Sequence, residues 1–183
     1  MSDEWPKIKS RDSITISPWV EIVAREVEFA PGEPTQLYHA VAQRDYLAIV
    51  ALTPDGRFPL VRQYRPALEM FTWETPAGLA EPGEDHAEGC RRELLEETGY
   101  PTLAIHPLGS GAPCSGRLSN RMHSYFVQTG ARIGDFVPEP GLTVDLATPA
   151  ELIAMIKSGE FISQLHLGAL LLAELRGFIT LRP

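Results

Sequence analysis

The sequence predicts a mixed α/β domain, because segments typical of strands surround segments that carry helical start and stop signals. Residues 46–52 form a continuous apolar run, which predicts a central buried strand. Residues 84–98 read as a helix, and Gly99 is the residue expected just past its end. Residues 148–151 place a threonine and a glutamate at the spacing of a capping box, with a proline at the first helical position, so a second helix should start there.

The N-terminal region is expected to form a small antiparallel unit. Residues 1–11 are predicted to be a loose tail. Residues 12–29 are rich in β-branched and aromatic side chains, and their alternation predicts strand with one wet face. Residues 36–43 form the returning strand. The predicted division is therefore an N-terminal β extension at residues 1–44 and a main domain at residues 45–183.

The remaining elements follow in order along the main domain. A Thr-Pro-Asp-Gly turn at residues 53–56 separates the buried strand from the next one. Loops rich in small or turn-forming residues occupy residues 109–117 and 130–141. Further strands are predicted at residues 58–63, 103–108, 123–128 and 142–146, and further helices at residues 149–158 and 163–175.

Composition limits the class of protein. The 183 residues suffice for one domain with a proper core, and the net charge of −8 argues against a broad nucleic-acid-binding surface. The sequence contains no run of about 18 apolar residues, so no membrane span is predicted. The charged N-terminus lacks the apolar core of a signal peptide, which favours a cytoplasmic protein. Cys90 and Cys114 are expected to be free thiols.

The helix predicted at residues 84–98 has an acidic face. At ~100° per residue, Glu93, Glu96 and Glu97 fall together beside Arg92. Carboxylate oxygens are the ligands that Mg²⁺ and Mn²⁺ prefer, so the cluster suggests a site for a hard divalent cation. A solvated acidic face is the alternative, and the helix face alone does not decide between the two.

The spacing around this helix resembles the Nudix box. The matching positions are Gly78, Glu84, Arg92-Glu93-Leu94, Glu96-Glu97, Gly99 and Tyr100. The resemblance implies a mixed β-sheet sandwiched between helices, with the box helix lying against it. It also implies a Mg²⁺-dependent hydrolase, with Mn²⁺ as the alternative ion, in which water attacks a diphosphate.

The resemblance assigns roles to individual residues of the box. Glu93 and Glu97 match metal ligands, and Glu96 is available for a second metal or to orient a ligand. The backbone carbonyl of Ala77, just before the box glycine, is a further metal ligand in the family. Arg92 is expected to pair with a nearby box carboxylate and hold it in place.

Sequences outside the box point to a substrate class. Residues 63–66 (QYRP) and 74–78 (ETPAG) are similar to the ADP-ribose pyrophosphatase branch of the family. That resemblance implies hydrolysis of ADP-ribose to AMP and ribose 5-phosphate, with Arg65 near the phosphates or ribose and Gln63 beside it. It also implies a homodimer that exchanges N-terminal strands, with Trp19 stacking on the adenine; a core or interface tryptophan is the alternative.

Several alternatives stay open. The loop at residues 109–117 departs from the ADP-ribose pattern, so another nucleoside-diphosphate sugar such as GDP-mannose is the second candidate substrate. The catalytic base is expected to be Glu139, with Asp135 behind it, or else Glu96. A non-catalytic nucleotide sensor is the rival class. His123 and His166 receive no role, because neither belongs to a metal-spaced cluster in the sequence.

Overall fold

The computed structural model describes residues 5–181, which divide into two compact units. One unit contains residues up to 44 together with residues 112–121. The other contains residues 45–111 and the chain from residue 122 onward. The short segment 112–121 is thus assigned with the N-terminal residues, although it lies between two strands of the larger unit in sequence.

The smaller unit is an antiparallel sheet in the order β1-β2-β3. The predicted loose tail is wrong for residues 7–11, because β1 already begins at Lys7 and its polar side chains pair across the strands. Lys9 Nζ, for example, lies 2.9 Å from Glu28 Oε2. The segment 112–121 joins this sheet where the Val41 N–H donates to the Arg117 carbonyl at 2.8 Å. The strands are β1 Lys7–Ser17, β2 Val20–Glu28 and β3 Gln36–Ala42.

The larger unit contains two sheets and the helices. One sheet has the order β7-β4-β9-β8, in which β4 and β9 run parallel and the other neighbours are antiparallel. The second sheet has the antiparallel order β10-β5-β6. The elements are β4 Tyr46–Leu52, β5 Phe58–Arg65, β6 Met70–Glu74, β7 Ala77–Leu79, α1 His86–Thr98, β8 Thr102–Gly111, β9 Met122–Thr129, β10 Thr143–Ala147, α2 Pro149–Ser158 and α3 Gln164–Leu175.

Strand β4 is buried on both faces, which explains its continuous apolar sequence. On one face, Leu47 and Ile49 belong to a cluster with Cys90 and Leu94 of α1. On the other face, Ala48 and Val50 belong to a cluster that includes the small and apolar side chains of α3. The central sheet therefore has a helix on each side, which confirms the predicted fold class.

The helix ends follow their local sequence signals. Helix α1 begins two residues later than predicted, because Asp85 has an extended backbone and its side chain accepts the Ala87 and Glu88 N–H groups at 3.0 and 3.2 Å. It ends as predicted, since Gly99 adopts the left-handed conformation with φ 73°. Helix α2 has the predicted capping box between Thr148 and Glu151. None of the helices in residues 5–181 is long and apolar enough to cross a membrane.

Candidate metal and substrate site

The C-terminal half of α1 brings two carboxyl groups onto strand β7. The Ala77 N–H donates to Glu97 Oε2 at 3.0 Å. A Cβ atom placed on Gly78 would lie only 2.0 Å from Cδ of Glu93. The Glu93 carboxyl therefore occupies the space that any other side chain at position 78 would fill. The glycine is required by this close approach and not by its backbone conformation, since its φ is not positive.

These two carboxyl groups fit a hard divalent cation. Both are drawn out of solvent, and burial raises the pKa of Glu97 to about 8, although the Ala77 N–H lowers it. Burial likewise raises the pKa of Glu93, and its bond to Arg92 offsets only part of that effect. A nearby positive charge favours the ionised form of a carboxyl. Converging carboxylate oxygens of this kind are the donor set that Mg²⁺ and Mn²⁺ prefer.

Arg92 connects the carboxylates of the box. Its Nε and Nη2 atoms donate to the two carboxylate oxygens of Glu84, each at 3.0 Å. Its Nη1 donates to Glu93 at 2.7 Å and to Glu96 at 3.2 Å. These hydrogen bonds raise the pKa of the guanidinium above its ordinary range, and the bond to Glu84 has the largest effect. Arg92 therefore fixes the position of the Glu93 carboxyl relative to the helix.

A cavity of about 670 Å³ opens beside these groups. Its volume lies in the range of small-molecule sites. Arg65 forms a bidentate pair with Glu74 in its lining, with Nε–Oε1 and Nη2–Oε2 distances of 2.8 and 2.5 Å. The Thr72 hydroxyl donates to the same carboxylate at 2.6 Å. The polar and charged lining residues include Gln63, Arg65, Thr72, Glu74, Glu97 and His166.

His166 is a buried member of this lining to which sequence reasoning gave no role. Its Nδ1 accepts the Thr75 N–H at 3.1 Å, so the neutral ring carries its proton on Nε2. Burial lowers the pKa of His166 to about 4, although nearby Glu74 opposes the shift. Helical spacing could have found it, because His166 shares the buried face of α3 with Ala169 and Ala173.

The remaining predicted residues lie elsewhere. Glu96 is exposed and contacts Arg92. Glu139 is exposed in the loop between β9 and β10, and among residues 5–181 the cavity lining includes neither of these two glutamates. That loop is anchored on the C-terminal end of α1, where the Arg132 Nε donates to the Thr98 carbonyl at 2.9 Å. Trp19 belongs to the smaller unit, at the turn between β1 and β2, and is exposed.

Comparisons with known proteins show the family to which the chain is related. A family model described as NUDIX domain matches residues 42–161, about two thirds of the chain. The chain is similar to the ADP-ribose pyrophosphatase of Mycobacterium tuberculosis, with 30% identity over 160 residues that cover 84% of this chain and 77% of that protein. The match therefore extends well beyond the box helix.

Two further comparisons define the range of relatives. The chain is similar to the methanol dehydrogenase activator of Bacillus methanolicus, with 35% identity over 106 residues that cover 58% of this chain. The chain spans little more than half of that protein's length, 57%. A solved structure of an ADP compounds hydrolase matches with a TM-score of 0.80 and 21% identity, and covers 98% of this chain and 100% of that one. That likeness supports the fold.

Proposed function

Because the chain belongs to the Nudix family, we propose that it is a Mg²⁺-dependent hydrolase of the diphosphate bond in a nucleoside-diphosphate sugar. ADP-ribose is the first substrate to test, giving AMP and ribose 5-phosphate with the consumption of one water. The observation that carries the proposal is the convergence of Glu93 and Glu97 on residues 77–78, with Glu97 lining the cavity. The similarity to an ADP-ribose pyrophosphatase supports the choice of substrate.

The proposed division of labour follows from the contacts. Glu93 and Glu97 hold the divalent cation, with the Ala77 carbonyl as a further ligand, and Arg92 keeps Glu93 in position. When bound, such a cation neutralises phosphate charge and lowers the pKa of its bound water. Arg65 contacts the phosphates, since its pair with Glu74 uses only two of the five guanidinium N–H donors. Gln63 lies beside it in the lining.

The test compares turnover on a panel of nucleoside-diphosphate compounds, including ADP-ribose and GDP-mannose, with Mg²⁺ and with EDTA. We expect AMP release from ADP-ribose that EDTA abolishes. The kcat/KM of the Glu97→Gln variant should fall at least about 100-fold, because glutamine has nearly the same shape as glutamate but lacks the charge that binds the metal. The matched control is Glu88→Gln, an exposed glutamate of the same helix. Full activity of Glu97→Gln, with its fold intact, would reject the assignment.

The catalytic base is proposed to be Glu139 or Glu96, and one comparison separates them. When the catalytic base is changed to glutamine, the variant should have a lower kcat and should lack the acidic limb of the pH–rate profile, while its Mn²⁺ affinity is preserved. A loss of Mn²⁺ affinity in Glu96→Gln would instead identify that residue as a metal ligand. Absence of turnover on every compound, despite measurable nucleotide binding, would favour the non-catalytic sensor.

The dimer is the last part of the proposal. Trp19 is exposed in the smaller unit, so its ring is free to contact a partner subunit or a ligand. The resemblance to ADP-ribose pyrophosphatases implies a homodimer, so sedimentation should give twice the monomer mass. If Trp19 stacks on the adenine, Trp19→Ala should raise KM for ADP-ribose more than it lowers kcat. An unchanged KM would leave Trp19 without a part in adenine binding.

A further inference from the structure

A group of two histidines and an aspartate lies at the N-terminal end of α1, whereas Glu93 and Glu97 lie in its C-terminal half. Asp45 immediately precedes β4, His123 lies on β9, and His86 is the first residue of α1. One potential ligand atom from each lies within 4.8 Å of the others. His86 lies within the box sequence, but it is seven residues from Glu93, about 10 Å along the helix axis, so this group is separate from the Glu93 and Glu97 carboxylates.

The three side chains already contact one another in pairs. His123 Nε2 lies 3.1 Å from Asp45 Oδ2. The rings of His86 and His123 are stacked, with centroids 3.7 Å apart and planes at 27°. An ion about 2.1 Å from both the histidine nitrogen and the aspartate oxygen would subtend an angle of about 95° between them. That angle lies close to those of octahedral and tetrahedral coordination, so an ion can replace the proton between these two atoms.

The backbone holds each of the three residues in place. The Asp45 carbonyl accepts the Ala80 N–H at 2.9 Å. His123 lies in the interior of the sheet, where β9 has β4 on one side and β8 on the other. His86 is fixed by the helix cap at Asp85. Ligands placed on rigid elements lose little freedom when an ion binds, which favours a real site over a chance cluster.

The charge and exposure of the group also suit a cation. The side chains of His123 and Asp45 are 17% and 35% exposed, so an ion can enter from solvent and a water can complete its coordination. The partial positive charge of the helix N-terminus opposes a cation there, but the neighbouring acidic residues Asp85 and Glu88 offset it. Two imidazoles and one carboxylate suit Zn²⁺, Co²⁺ or Ni²⁺ better than Mg²⁺.

We propose that Asp45, His86 and His123 form a second metal site, selective for a borderline transition-metal ion of the Zn²⁺ type. Ligand atoms around such an ion lie about 3.0–3.4 Å apart and these atoms lie within 4.8 Å, so binding requires them to approach and the stacked His86 ring to turn toward the ion. The ion joins the start of α1 to the adjoining parallel strands. The site does not depend on the hydrolase proposal, since it uses none of the residues assigned to diphosphate cleavage.

Zn²⁺ binding to chelator-treated protein tests the proposal. The Glu93→Gln/Glu97→Gln double variant serves as the starting protein, so that ions bound by the box do not contribute. We expect one equivalent of Zn²⁺ in competition with a chromogenic chelator, and a higher melting temperature when it is bound. His123→Ala and His86→Ala should each weaken the affinity by at least about 10-fold. The exposed His39 provides the matched control, and His39→Ala should bind as the starting protein does.

A spectroscopic measurement removes any dependence on the folding of the alanine variants. Co²⁺ added to the double variant should give d–d absorption bands of a nitrogen-containing site and should broaden the imidazole NMR signals of His86 and His123 but not of His39. Zn²⁺ binding that is unchanged when His123→Ala is added to the double variant would overturn the proposal. So would a folded protein that binds no Zn²⁺, or Co²⁺ that leaves both imidazoles unperturbed.

Discussion

Replacing Gly78 by alanine is expected to displace the Glu93 carboxyl without straining the backbone. Gly78 does not adopt a positive φ, so alanine can take its conformation. The new Cβ would lie 2.0 Å from Cδ of Glu93 and 2.2 and 2.3 Å from its oxygens, whereas ordinary contacts begin near 3.4 Å. The carboxyl must therefore move by about 1.4 Å, because atoms at such short separations repel strongly.

A shift of this size is large for a metal ligand. Distances at metal sites tolerate only about 0.2 Å. The hydrogen bond of 2.7 Å from Arg92 to Glu93 would also have to be remade. Since a misplacement of 1 Å can cost about 100-fold in rate, we expect kcat/KM to fall by at least that factor, equivalent to about 2.7 kcal/mol. The free energy of unfolding should change by less than about 1 kcal/mol, because the atoms that must move are the far end of one flexible side chain.

Two assays follow the effect separately. Mn²⁺ titration monitored by electron paramagnetic resonance measures the metal site even if the substrate proves to be different. Mg²⁺-dependent hydrolysis of ADP-ribose measures the reaction. The control is Gly134→Ala, because Gly134 has open space around it and no positive φ. A Gly78→Ala protein with unchanged Mn²⁺ affinity and unchanged turnover would refute the reasoning.

Three further predictions concern the surrounding groups. Arg92→Lys keeps the charge but loses the planar guanidinium, which bonds both oxygens of Glu84 while Nη1 bonds Glu93, so Mn²⁺ affinity should fall about 10-fold in the same titration. Burial lowers the pKa of His166 to about 4 in the folded protein, against an ordinary value of 6.5, so the unfolded chain binds the proton more readily. The neutral His166 therefore stabilises the fold fully above pH 6.5, and this stabilisation is lost as the pH falls to 4, by up to about 3 kcal/mol. Urea unfolding between these pH values should show that loss, and His166→Gln should reduce it. In the folded protein a thiol reagent should label the exposed Cys114 and not Cys90, whose pKa burial raises.

Local signals explain what the sequence could predict. The cap and box residues of α2 lie within four positions of one another, so its start at Pro149 follows from neighbouring residues alone. The Gly99 end of α1 is equally local. The start of β1 could not be predicted in this way. Lys9 becomes part of a strand through partners across the sheet, and its own neighbours carry no apolar alternation.

Long-range contacts explain what the sequence could not predict. Asp45, His86 and His123 are separated by about 40 residues each, and they meet because β4 and β9 pair in parallel and α1 packs beside them. The contact between His166 and the Thr75 N–H spans 91 positions. The regular spacing of the box is a local pattern, so it predicted Glu93 and Glu97 as metal ligands, whereas their approach to Gly78 and Ala77 depends on the fold.

Strand β4, like its neighbour β9, contributes side chains to both hydrophobic clusters. Its alternate side chains enter the core on the α1 side and the core on the α3 side. The strand cannot leave the sheet without opening both cores at once, so its amide hydrogens should exchange with solvent only through global unfolding. Damage to the packing of α3 would thus be transmitted to the helix that carries the box, as a lower unfolding barrier shared by the whole unit. The paired strands β4 and β9, whose side chains enter both cores, thus give the unfolding of this unit a physical basis for cooperativity.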